Sequence, residues 1–145
     1  GLDRHSGYAA HLRARLSTGP LAGRITLAGE LAGAPLDEAY DTADLFVLAT
    51  RYEGYGMVVA EALARGLPVV STPTGAIADL VGDRAGVLVQ PGDAEALARE
   101  LAHLLSNPGA LQALREGALR VRETLPTWAH ASAAMEDALV RFTGV

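Results

Sequence analysis

The sequence contains no cysteine and no lysine. Without thiols there is no disulfide framework, no cysteine nucleophile and no thiolate metal site. The basic side chains are twelve arginines against seventeen acidic residues, for a net charge of −5. That balance argues against nucleic acid as a partner, because binding a phosphate backbone depends on clustered positive charge. No apolar run approaches the ~20 residues that span a bilayer, and no basic-then-apolar leader is recognisable. His5, His11, His103 and His130 are far apart and form no ligand-spaced pair, so they read as surface or structural histidines and no metal is expected.

What remains is a chain of 145 residues, half of them hydrophobic and a fifth charged, which is the size and composition of one globular domain. The Ala-, Gly- and Arg-rich usage fits a GC-rich bacterial gene. Helical and strand patterns alternate along it. Tyr8, Leu12 and Leu16 recur at helical spacing until Gly19-Pro20 stops the helix, and residues 24–29 read as a short strand ended by glycine. Leu36, Ala39, Tyr40 and Ala43 return to helical spacing, and Leu45 to Ala49 form a continuous apolar run, the pattern of a strand covered on both faces. A helix from Met57 to Arg65 ends at Gly66, and strands follow at 68–71 and 86–89. Asp93 is placed to cap a helix with Leu97, Leu101, Leu104 and Leu105 as its apolar stripe. Asn107-Pro108 restarts a helix, and a last one over 127–142 carries Trp128, which could be core or an exposed anchor. Strand and helix alternating with short connections predict an α/β fold, a Rossmann-like doubly wound parallel sheet with ligands at the carboxyl ends of its strands.

The segment that carries chemistry is Glu53-Gly54-Tyr55-Gly56-Met57-Val58-Val59-Ala60-Glu61. It joins a strand to a helix, and its two glycines allow a tight turn and a close approach of backbone to ligand. The helix start offers free N–H groups and the positive end of the dipole, a seat for a phosphate. Glu53 falls in the loop and Glu61 about two turns into the helix, and carboxylates suit the paired hydroxyls of a sugar or ribose. Taken alone, two glutamates and two turn glycines are equally the parts of an ordinary helix entrance. A dinucleotide fingerprint is disfavoured, since its third glycine falls on Val59.

The wider context resembles the signature of family-4-type retaining glycosyltransferases, the glycosyl transferases group 1 with the two-domain GT-B architecture. Ala43 to Leu48, then Glu53-Gly54-Tyr55-Gly56, then Glu61 to Val70 contain that family's E-x7-E pattern. Residues 74–79 look like its G-G-I-x-E element, with Ala76 for the second glycine and Asp79 for the glutamate. Residues 86–93 look like its G-L-L-V-x-P-G-D element. The resemblance runs from about Gly23 to the end and identifies the chain as the C-terminal, donor-binding half of such an enzyme. It implies that Glu53 bonds hydroxyls of the donor sugar, in the catalytic position. It implies further that the amides of Gly56, Met57 and Val58, with Gly54 in the preceding turn, hold the sugar-proximal phosphate. Glu61 would then grip the ribose, and the base would lie near Leu31. Transfer in the family retains anomeric configuration without a metal, so no cofactor is expected beyond the nucleotide diphosphate sugar donor. The sequence has no D-x-D motif, and Asp41 and Asp44 read as the end of a helix.

Set against that family, residues 1–145 form a single donor-binding domain without its first two strands, and without the Arg and Lys that neutralise the diphosphate; Arg4 is not at a matching position. The resemblance implies that the acceptor-binding domain is missing from this sequence as well. The expected activity is transfer of a hexose-type sugar to an unidentified acceptor by the parent protein, with this fragment alone inactive. The alternative is a non-catalytic module that binds a nucleotide or a protein partner. The resemblance places the protein in the cytoplasm or at the inner face of the membrane, which it would reach through the missing domain. The strands flanking the gap would pair directly, or be completed by residues outside the sequence or by a homo-oligomer.

Overall fold

The computed structural model describes residues 6–18 and 22–125. It divides into two compact units, residues 1–39 and 40–145. In the first, helix α1 (Ser6–Leu16) follows the predicted Tyr8–Leu16 spacing. Helix α2 (Ala34–Asp41) begins in this unit with Pro35 in its first turn, and its last two residues, Tyr40 and Asp41, belong to the second.

The predicted strand at 24–29 does not form. Residues 25–29 carry no regular structure, and Ile25 is 44 % exposed. A strand exists by virtue of a ladder partner, and this segment has none among the described residues. In particular, it does not pair with the strand at Phe46, whose only partner among the described residues is the strand at Val69.

The second unit holds a three-stranded parallel sheet in sequential order, β1 (Phe46–Leu48), β2 (Val69–Ser71) and β3 (Gly86–Leu88). Phe46 lies opposite Val69, and Val69 opposite Gly86. The central strand is fully buried, as its apolar run predicts. Strand β1 departs from prediction. Side chains alternate between faces, so Phe46 and Leu48 pack on the core while Val47 points the other way and stays 42 % exposed. As an edge strand among the described residues, β1 is covered on one face better than on the other.

Helices α3 (Met57–Ala64), α4 (Ile77–Val81), α5 (Ala94–Ser106) and α6 (Pro108–Thr124) complete the unit. Val59, Ala62 and Leu63 of α3, Ile77 and Val81 of α4, and Ala118 of α6 join Val69 in one buried cluster. Asp93 accepts a hydrogen bond from the Ala96 amide at 2.8 Å and Asn107 one from the Ala110 amide at 3.1 Å, the expected caps of α5 and α6. Leu104 is buried, but Leu105 is 72 % exposed, so the apolar stripe of α5 is narrower than its sequence implies. The helix predicted over 127–142, with Trp128, lies outside the described residues. No helix among the described residues is long and apolar enough to cross a membrane.

Candidate functional site

The strand-to-helix connection between β1 and α3 is held by hydroxyl groups at the carboxyl ends of β1 and β2. Ser71 donates to the Leu48 carbonyl at 2.7 Å, and Thr72 to the Thr50 carbonyl at 2.6 Å. The first bond reinforces the last rung of the ladder, where Leu48 lies opposite Ser71, and the second prolongs the pairing of the two strands past it. The Thr50 hydroxyl then donates to the Tyr52 carbonyl at 2.8 Å, fixing the start of the loop that carries Glu53.

The loop is braced from its other side by the turn after β2. Gly75 has φ 57°, and a Cβ there would sit 2.0 Å from the Glu53 carbonyl oxygen, so only glycine permits this approach. The Ala76 amide donates to the Gly54 carbonyl at 3.3 Å. The two motifs around Gly54 and Gly75, twenty-one residues apart in the chain, thus meet backbone to backbone.

Gly56 is the N-cap of α3, in the left-handed conformation at φ 71° and ψ 33°. Its Cα hydrogens face Ile77 and Leu80, where a Cβ would crowd both side chains. The Gly56 carbonyl accepts from the Val59 and Ala60 amides, closing the first turn. Glu53 Oε1 accepts from the Gly56 amide at 3.2 Å. Of the three amides that the resemblance assigns to a phosphate, this one is therefore engaged within the loop. Those of Met57 and Val58 have no partner among the described residues, and both side chains are exposed. Two unengaged amides at the positive end of a helix dipole are an arrangement that favours an anion.

Glu61 lies on an exposed face of α3, and its Oε2 accepts from the Tyr40 hydroxyl at 3.2 Å. The two glutamates thus have different partners, Glu53 the helix start and Glu61 the end of α2. The Tyr40 ring stacks on Phe46 with centroids 6.2 Å apart, and the Arg65 guanidinium lies 4.9 Å from its centroid. Arg65 also pairs with Asp41 at 3.2 Å, the last residue of α2, as its sequence position implies. Burial, then the charge of Glu61 and the hydrogen bond to it, raise the Tyr40 phenol above its ordinary pKa, partly opposed by Arg65.

Asp79 is exposed in the first turn of α4, and Leu31 is half-buried in the first unit. His11 and His103 are exposed; His5 and His130 lie outside the described residues. No group of three or more acidic or histidine side chains among the described residues is placed to hold a metal. Sequence reasoning passed over two residues. In the sequence Tyr40 shows only as part of a helical repeat, and its contact with Glu61 spans twenty-one positions, beyond any local pattern. Arg51, two residues before Glu53, lines a hollow of about 140 Å³ at the carboxyl ends of the strands, with Thr50, Thr72, Gln90 and Asp93. Its place just past a parallel strand was the available signal.

The sequence profile of glycosyl transferases group 1 matches residues 4–107. Lipopolysaccharide core biosynthesis mannosyltransferase LpsB of Rhizobium meliloti (strain 1021) is 32% identical over 143 residues, 94% of this chain and 40% of that protein. Sulfoquinovosyl transferase SQD2 of Arabidopsis thaliana is 40% identical over 81 residues, 53% of this chain and 16% of that one. Among solved structures, sucrose-phosphate synthase from Thermosynechococcus elongatus aligns with a TM-score of 0.82 at 25% identity, over 94% of this chain and 35% of that one. Anabaena HepE, solved in complex with UDP, aligns with a TM-score of 0.83 at 21% identity, over 95% of this chain and 38% of that one, a likeness of fold. The chain spans less than half the length of each of these proteins.

Proposed function

The chain belongs to the glycosyl transferases group 1 family, and from that premise we propose that it binds the nucleotide diphosphate sugar donor of a retaining, metal-independent hexosyltransferase. The observation that carries the proposal is the start of α3, where the Met57 and Val58 amides are unengaged between two acidic side chains, each already held through one oxygen.

In this reading the sugar-proximal phosphate docks on the Met57 and Val58 amides. The helix dipole stabilises the negative charge that grows as the glycosidic bond to phosphate breaks, and such preorganised dipoles are usually the largest catalytic contribution. Glu53 is tethered to Gly56 through Oε1 and presents Oε2 to hydroxyls of the donor sugar. Glu61 presents Oε1 to the ribose. Gly54 and Gly75 keep the Glu53 backbone close to the turn after β2, which sets the reach of its side chain. Acceptor recognition and the remaining cations for the diphosphate are assigned to sequence beyond this chain, in keeping with the 40% of the mannosyltransferase that it spans.

Transfer from UDP-, GDP- and ADP-hexoses by the intact protein, with and without EDTA, tests the proposal. It predicts a product of unchanged anomeric configuration and a rate indifferent to the chelator. An inverted product, or a rate abolished by EDTA and restored by a divalent metal, contradicts it.

A further inference from the structure

Glu61 occupies an exposed helical position, where a glutamate has several rotamers to choose from and no direction fixed by its own helix. Its direction is set from outside α3. The Tyr40 hydroxyl donates to Oε2, and the ring that carries this hydroxyl is itself held by Phe46 and by Arg65. Arg65 in turn bonds to Asp41, the neighbour of Tyr40. The phenol is thus secured through its ring and free to use its hydroxyl for a single purpose. A phenylalanine at this position would keep the stack and the cation–π contact; the oxygen adds only the hold on Glu61.

We infer that Tyr40 is a positioning residue, fixing the Glu61 carboxylate through Oε2 so that Oε1 meets the vicinal hydroxyls of a nucleotide ribose. The inference rests on the donor-site reading of Glu61 and adds to it the group that orients the contact. A carboxylate held in one rotamer before binding loses less conformational entropy when the ribose arrives, so the benefit appears in affinity for ribose and nowhere else. A tyrosine phenol is protonated through the neutral range, and burial and the adjacent carboxylate only raise its pKa further, so the donor is in place at working pH.

The test uses the intact protein and calorimetric titration with UDP, GDP and ADP, followed by the 2′,3′-dideoxy analogue of whichever binds most tightly. Tyr40→Phe is expected to weaken the ribonucleotide by about three- to tenfold, the size of one hydrogen bond, and to leave the dideoxy analogue unchanged. The ratio of the two affinities therefore narrows, with the thermal midpoint reporting an intact fold. An unchanged ratio overturns the inference, whether both affinities hold or both fall together, since general damage to the site would not distinguish the ligands. Glu61→Ala separates this failure from that of the underlying reading. If Glu61→Ala narrows the ratio and Tyr40→Phe does not, only the positioning role is lost. If Glu61→Ala leaves the ratio untouched, or none of the three nucleotides binds, the ribose assignment of Glu61 fails and the role of Tyr40 fails with it.

Discussion

At the scale of single residues, the site is built on two carboxylates that are each half committed. Glu53 gives one oxygen to the Gly56 amide and Glu61 gives one to the Tyr40 hydroxyl. A carboxylate with one fixed oxygen is oriented without being saturated, which is the state a preorganised ligand contact requires. Glu53→Ala removes the tether to Gly56 and, on the proposed function, the contact with the donor sugar. It should lower kcat/KM for transfer by about 10- to 100-fold, as loss of a hydrogen bond to a charged group does, while the affinity for the free nucleoside diphosphate changes little. Steady-state kinetics beside calorimetry would show the split. Tyr40 adds a pH dependence. Its folded-state pKa lies above the unfolded value, so its contribution to stability is complete below the unfolded pKa and is lost as pH rises through the folded one. Denaturation followed upward from about pH 9, just below the ordinary tyrosine pKa, should show the intact protein losing more stability than Tyr40→Phe. Equal losses would mean that the phenol does not titrate differently in the folded state.

At the scale of elements, the site is where α3 begins, and neighbouring turns decide how it begins. The loop from Thr50 to Gly56 is tied to β2 by Ser71 and Thr72 and pressed against the turn at Gly75. Gly75→Ala would put a methyl group into the Glu53 carbonyl, so the loop must move. Beyond its effect on transfer, the left-handed φ alone should cost about 1–3 kcal/mol in denaturation. Asn107→Ala, away from the β1–α3 connection, offers a contrast: loss of the α6 cap should cost about 1 kcal/mol without altering nucleotide affinity. Much of this level was legible in the sequence, because its signals are local. Asp93, Asn107-Pro108 and Gly66 mark helix ends, and the apolar run at 69–70 marks a buried strand. The packing of Gly75 on Glu53 was not legible, since no local pattern says which of two glycine-bearing turns will touch. The same holds for Tyr40 and Glu61, and for Leu105, whose apolar character fits a stripe that the packing of α5 leaves partly open.

At the scale of the whole molecule, the compact core of the second unit gathers Val59, Leu63, Val69, Ile77 and Val81 around a short parallel sheet. Leu63 is fully buried, and Leu63→Ala should destabilise the fold by about 2–5 kcal/mol, measurable by chemical denaturation. The sequence conveyed the α/β class and the strand positions of this unit, and the family motifs in their order. It overstated the segment at 25–29, because a strand pattern declares suitability for a sheet and says nothing of whether a partner lies beside it. It overstated the cover of Val47 for the same reason.

The claim on which the account depends is that the α3 start is the phosphate seat, and a crystal structure of the intact protein with its tightest-binding nucleoside diphosphate tests it most directly. A phosphate oxygen is expected within hydrogen-bonding distance of the Met57 and Val58 amides, with the ribose hydroxyls against Glu61. A diphosphate bound elsewhere, with those two amides facing solvent, would contradict it.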